Sequence, residues 1–225
     1  LLPDDNQLKQ LYRRMLDTSP KQARTQMEDY LRSQVKAGSI DVNIMTKTDR
    51  ENYDKNKKII EDGSDAVAAL RGYAKSTLTN SSVVFSAGMN PRLFNYLENC
   101  REFDANEAGQ FDKKIVIKVS DYRSALIQGK YLAKKGIWVS EFRIESGLNC
   151  GGHAFATEGY LMGPILEEFK SKKQDLISAL FEICNAALQK KGKKQFSQPP
   201  EVVLTAQGGI GTFDEDNFLH QYYSI

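Results

Sequence analysis

The chain has 225 residues, with 31 Lys and Arg against 29 Asp and Glu, so its formal net charge of +2 sets up no field that would draw nucleic acid or an anionic membrane. Hydrophobic residues make up 40% and charged residues 27%, the proportions of an ordinary globular protein able to bury a core, and no apolar run reads as a membrane span or signal peptide. Three scattered cysteines, Cys100, Cys150 and Cys184, argue against a disulfide framework or zinc knuckle and suit a reducing, cytoplasmic setting.

Helical and strand patterns then alternate along the chain. "NQLKQLYRRMLD" sets Leu8, Leu11, Tyr12 and Met15 on one helical face. Ser19 reads as the cap of a second helix with Pro20 at its first position, and Gly38 as its end. Residues 1–38 are thus N-terminal helices leading into a single α/β domain. "IDVNIMT" (40–46) reads as a strand, 47–63 as loop or weak surface helix, and Ser64-Asp65 as the cap of a helix running to about Lys75. The same unit recurs: strand 82–88 before a helix opened by Asn90-Pro91, and strand 113–119 before a helix capped by Ser120 and ended by Gly136. Strand 136–144 is more polar than a doubly buried strand, through Glu141 and Arg143. Helical stretches cover about 163–189, "PEVVLTA" (200–206) is a strand, and "FDEDNFLHQYY" a last helix. The cluster "KKGKK" at 190–194 reads as a solvated helix end.

Five strands, each followed at short spacing by a helix, imply βα units and a parallel sheet, either doubly wound or a (β/α)₈ barrel. Both folds bind ligands at the carboxyl ends of their strands. The chemically unusual residues gather at that edge: Asn43, Ser86-Ala87-Gly88, Lys118, the Gly147–His153 loop and Gly208-Gly209. The glycine pair in "LTAQGGIGTF" exposes backbone N–H groups after a strand and before a helix, either a phosphate cradle or a plain tight turn. It matches neither dinucleotide nor P-loop spacing. Lys118 either holds an anion or a polarised ring carbonyl, or snorkels to the rim. In "ESGLNCGGHAFATEG" (145–159), His153 is a candidate acid/base because histidine titrates near neutrality, the alternative being a loop histidine bonded to backbone. Cys150 and His153 are too few for a metal site, and their spacing suits no nucleophile pair.

Taken in order, "IDVNIMT", "IVIKVSD", "RIESGLNCGGHAF" and "EVVLTAQGGIGTF" resemble the nitronate monooxygenase (2-nitropropane dioxygenase-like) family over roughly residues 40–212. The matches are Val42 and Asn43; Lys118 and Val119; Gly147, Gly151, Gly152 and His153; and Ala206, Gly208, Gly209 and Ile210. The resemblance implies an FMN-binding (β/α)₈ TIM barrel. Gly208 and Gly209 would hold the FMN phosphate, Lys118 would face the pyrimidine side of the flavin, Asn43 would contact the ring, and Gly151 and Gly152 would complete the cofactor-binding set. His153 would be the catalytic base. It implies an FMN-dependent oxidoreductase acting on a nitronate or a related carbon acid. Related enoyl-acyl-carrier-protein reductases use a similar barrel. A phosphate-binding barrel isomerase or lyase and a non-catalytic degenerate barrel are the readings from other classes.

Asn149 and Cys150 stand where the family has Glu-Ala, and Gln207 where it has alanine. The family's first and last strands have no counterpart, so the chain is expected to span about strands three to seven of a longer protein. The expected partners are a small-molecule substrate and, for oligomerisation, further copies of the chain, with neither nucleic acid nor membrane.

Overall fold

The structure, a computed structural model, describes residues 2–36, 38–45, 49–86, 88–145 and 162–225. Two compact units make up the chain, one of Ser39–Gly209 with Tyr223–Ile225 and one of Leu1–Gly38 with Ile210–Tyr222.

The first unit is α/β. Strands β1 (Ile40–Ile44), β2 (Ser81–Phe85), β3 (Lys113–Val119), β4 (Glu141–Glu145) and β5 (Val203–Gln207) form one sheet in the order β1-β2-β3-β4-β5, every pairing parallel. Helices α3 (Asp65–Ala74), α4 (Pro91–Tyr96), α5 (Tyr122–Ala133) and α6 (Met162–Lys190) lie between consecutive strands. Each connection steps one place in the same direction, and right-handed crossovers then put every connecting helix on the same face. The order contains no reversal of the kind that makes the ligand crevice of a doubly wound sheet.

The two faces of the sheet differ accordingly. One carries Val83, Phe85, Ile115, Ile117, Phe142 and Ile144, all essentially buried. Phe94 of α4 tilts against Phe85 with ring centroids 5.6 Å apart, and Tyr122 of α5 meets Phe169 of α6 edge-on at 5.5 Å. A Cβ on Gly129 would lie 3.0 Å from Leu180 and 3.1 Å from Phe142, so α5, α6 and β4 meet with no room to spare. The other face alternates with the first and carries Asp41, Asn43, Lys118, Glu141, Arg143 and Glu145. At the N-terminal end of β3, Lys113 is only 5% exposed; its ammonium donates to the carbonyls of Tyr73, Ala74 and Ser76, closing the last turn of α3.

Several boundaries differ from the sequence reading. Asp121, not Ser120, caps α5: its carboxylate takes the Ser124 amide at 2.6 Å, and Ser120 donates to that carboxylate instead. The ladder of β4 begins at Glu141, because Gly136 at φ +71° turns the chain and Ile137–Val139 pass buried but unpaired in a named strand. Pro199 and Pro200 lack amide donors, so β5 begins only at Val203. The described part of 47–63 holds no helix but a tight turn with an antiparallel bridge, Tyr53 to Ile59. The helical stretches after 162 are one helix of 29 residues.

The second unit is helical. Asn6 caps α1 (Gln7–Asp17), its side-chain oxygen taking the amides of Leu8 and Lys9. Pro20, rather than Ser19, is the cap residue of α2 (Lys21–Ser33), without a side-chain bond, and the helix ends at Ser33 where Gln34 closes onto preceding carbonyls, short of Gly38. Of the apolar face foreseen for α1 only Met15 is buried, while Tyr12 is half exposed. Helix α7 (Phe213–Phe218) is followed by a π-helical turn, Leu219–Tyr223. No helix among the described residues is long and apolar enough to cross a membrane.

Candidate functional site

At the carboxyl ends of the strands, β1, β3, β4 and β5 bring forward Asn43, Lys118, Glu145 and the Gly208-Gly209 pair. Strand alternation puts Asn43, Lys118 and Glu145 on the polar face. Asn43 lies in the row Val84, Val116, Glu141 and Val203, and Lys118 in the next same-face row with Arg143 and Thr205. Gly208 and Gly209 follow β5 directly at φ +95° and +75°, a conformation side-chain-bearing residues rarely adopt. Their amides donate to no partner among the described residues. His153, Gly151 and Gly152 lie outside the described residues, as does Cys150. The other two cysteines, Cys100 and Cys184, are buried, and burial pushes their thiols up to about 11 and about 12, which leaves them protonated packing residues.

Lys118 is not an unaccompanied cation. Its ammonium meets the Glu145 carboxylate of the neighbouring strand at 2.9 Å, with the side chains 15% and 14% exposed. One row below Glu145, level with Lys118, Arg143 donates to Glu141 at 2.8 Å and to Asp41 at 3.0 Å, and Thr205 donates to Glu141 at 2.6 Å. Burial pulls the Arg143 guanidinium down, but the bonds to Glu141 and Asp41 outweigh it and hold it above its ordinary value. Composition and motif reading passed over Glu145 as a site residue. The signal was present in the alternation Glu141, Arg143, Glu145 of "EFRIE", a strand with one charged face.

The Arg143–Asp41 bond also reports the shape of the sheet. Their strands stand three places apart, about 14 Å at ordinary strand spacing. The register sets Asp41 level with Lys114 and Arg143 level with Lys118, a further offset of about 13 Å along the strands. One arginine and one aspartate cannot span that diagonal of a flat sheet. The sheet therefore curls, with the polar face inside and the helices outside.

A cleft of about 1320 Å³ opens at the other end of this concave face, toward the N-terminal ends of the strands. Asp41, Ser82, Lys114, Ser140 and Glu141 line it over Trp138 and Phe196, which meet edge-on. The buried Ser140 hydroxyl has no hydrogen-bond partner among the described residues. None of Asn43, Lys118, Gly208 or Gly209 lines this cleft. A smaller hollow of about 300 Å³ lies between Gly88-Met89 and the first turns of α5, beside Gln128, whose buried Oε1 is also without a partner among the described residues.

In the helical unit, the first turn of α7 already holds a carboxylate. Glu215 accepts the amides of Gly211 and Thr212, both at 2.9 Å, in a capping box with Thr212. Those bonds hold its carboxyl below the usual range. The two amides are thus engaged, in contrast to those of Gly208 and Gly209. No group of three or more metal-ligating side chains occurs among the described residues. Compared with protein families, curated proteins and solved structures, the chain has no match.

Proposed function

We propose that the chain forms strands three to seven of a (β/α)₈ barrel and works as an FMN-dependent oxidoreductase of the nitronate monooxygenase kind. One observation carries the reading: a curled parallel sheet in sequential order, with helices outside, whose polar inner face carries Lys118 and whose β5 runs into two glycine amides that donate to no partner among the described residues. Sequential order with same-handed crossovers suits a barrel wall better than an open doubly wound sheet.

The residues fit the cofactor. Gly208 and Gly209 offer N–H donors where no Cβ stands in the way, the requirement for cradling a phosphate. Lys118 and Asn43 lie on the inner face, where a ring system would be flanked by polar groups. FMN, when bound, supplies the redox chemistry, and the protein supplies position and charge. His153 would be the base that takes the α-proton of a carbon-acid substrate such as a nitroalkane, with Gly151 and Gly152 in the cofactor-binding set.

A visible spectrum of the intact protein tests this, first as purified and then after incubation with FMN. Bands near ~370 and ~450 nm that bleach anaerobically on addition of substrate or NAD(P)H are expected of a flavoenzyme. His153→Ala is expected to abolish turnover and keep the bands. Loss of both together would make the histidine structural.

A second reading has its own observation. Because Glu145 already pairs with Lys118, the glycine amides are, among the described residues, groups at this edge open to an anion, as in a barrel isomerase or lyase that binds a substrate phosphate. Such a protein stays colourless with FMN and binds a small phosphoester instead.

A further inference from the structure

We propose that the cleft at the N-terminal ends of the strands is a second binding site, and that it takes a neutral oligosaccharide. The assignment is independent of what binds at the opposite edge of the sheet.

The floor of the cleft is a row of polar side chains on neighbouring strands. Asp41 of β1 stands in register with Ser82 of β2, and Ser82 with Lys114 of β3, all three lining the cleft. At ordinary strand spacing the row spans about 10 Å and presents a carboxylate, a hydroxyl and an ammonium in turn. Ser82 is only 6% exposed, yet its hydroxyl makes no hydrogen bond among the described residues. Lys114 is exposed and forms no ion pair among them. Glu141, on the next strand, accepts from Arg143 and Thr205 through one oxygen and leaves the other without a partner among the described residues. Donors and acceptors with capacity to spare thus collect on one surface.

Their charges decide what fits. An anion drawn to Lys114 would be flanked by the carboxylates of Asp41 and Glu141. A cation drawn to those carboxylates would meet Lys114 and also Arg143, which bonds to both of them. The four charges cancel. An apolar ligand would cover the Ser82 hydroxyl and the Lys114 ammonium without giving either a partner, which is costly. A neutral ligand that both donates and accepts remains. A sugar hydroxyl does both at once, giving its proton to a carboxylate and accepting from Ser82 or Lys114.

The wall of the cleft supplies the apolar contact. Phe111, ahead of β3, and Phe196, ahead of β5, meet with ring centroids 6.0 Å apart, and both are half-buried. Such rings pack against the C–H face of a pyranose. The segments that carry them are tied in place. Lys193 donates to both Asp104 carboxylate oxygens at 2.7 and 2.6 Å, and Lys194 to the Glu107 carbonyl at 2.8 Å. Asn185 exchanges two hydrogen bonds of 2.9 Å with the backbone of Phe196. A wall held in this way loses little freedom when a ligand arrives. The cleft, about 1320 Å³, exceeds the roughly 300–1,000 Å³ of a small-molecule pocket and so suits several linked rings.

The chain's only tryptophan, Trp138, lines the same cleft, so its fluorescence reads binding there directly. The intact protein is titrated with neutral trisaccharides of glucose, mannose, galactose and N-acetylglucosamine, and with trigalacturonate and inorganic phosphate as anionic probes. At least one neutral trisaccharide is expected to change the emission saturably, and to bind more tightly than either anion. Ser82→Ala should weaken that binding about 2- to 10-fold and Lys114→Met about 10- to 100-fold, the ranges of a neutral and a charged hydrogen bond. Neither side chain is bonded within the fold among the described residues, so neither substitution should lower the urea midpoint. Saturation by none of the neutral trisaccharides overturns the assignment, and so does tighter binding of trigalacturonate or phosphate. Wild-type sugar affinity in both variants overturns it as well.

Discussion

Lys113 shows how one side chain can be structural where its type suggests function. Its ammonium is buried at the foot of the sheet, 5.2 Å from the centre of the Tyr73 ring, with three carbonyls of the α3 C-terminus around it. Lys113→Met removes the charged donor that those carbonyls share and should lower stability by on the order of 3 kcal/mol, read as a fall in the urea midpoint. Asp49 performs the corresponding task at the other end of α3. It takes the Ala66 amide at 2.9 Å and the Asn90 side-chain amide at 3.3 Å. Burial raises its carboxyl, but the bonds from Ala66, Ser64 and Asn90 outweigh burial and hold it below its ordinary value. A carboxyl depressed in the folded state contributes stability above its unfolded pKa and loses it as pH falls through the folded one. The stability gap between wild type and Asp49→Asn should therefore be constant near neutrality and close below about pH 4, measured as unfolding midpoints against pH. Asn43 and Lys118 were legible in the sequence because polar residues near the end of an apolar strand stand out. The place of Glu145 on a charged strand face was legible in "EFRIE", but its pairing with Lys118 was not, because nothing local says which cation an acidic strand residue will meet.

At the scale of elements, strand centres followed from apolar runs, while their ends were decided by backbone chemistry. "KKIVIKV" is β3 as read, but "GIWVSEFRI" yields a ladder only from Glu141, since Gly136 must turn at φ +71° first. A Cβ there would also sit 3.2 Å from Leu188 of α6. Gly136→Ala should cost about 1–2 kcal/mol from the left-handed backbone alone, visible as a lower melting temperature. The polar face of β4 carries a different consequence. Arg143 ties β4 to β1 across the concave side. Arg143→Leu strands Asp41 and Glu141 without their cation, and a loss of about 1–3 kcal/mol is expected in denaturant titration. Phe142→Ala on the opposite face should be worse, about 3–5 kcal/mol, because it empties a site enclosed by α5, α6 and β4.

At the scale of the molecule, the order of the strands and the curl of the sheet bear most on function. Alternating strand and helix signals predicted α/β with a parallel sheet, and that is what the chain forms. The curl could not be read from the sequence, since it appears only in a bond between residues 102 positions apart. The curl also separates two regions of the concave face: the carboxyl edge with its amides and ion pair, and the large cleft at the opposite end. Asn43, Lys118, Gly208 and Gly209 lie at the first and none of them lines the second, which is why the cofactor is proposed for the first. The most direct measurement is an equilibrium titration of FMN, followed by quenching of its fluorescence, into the intact wild-type protein and into Gly208→Val. The account predicts saturable binding of one FMN per chain in wild type and at least about tenfold weaker binding in the variant, whose β-branched side chain cannot take the native φ and crowds the cradle. FMN fluorescence unchanged at saturating wild-type protein would contradict it.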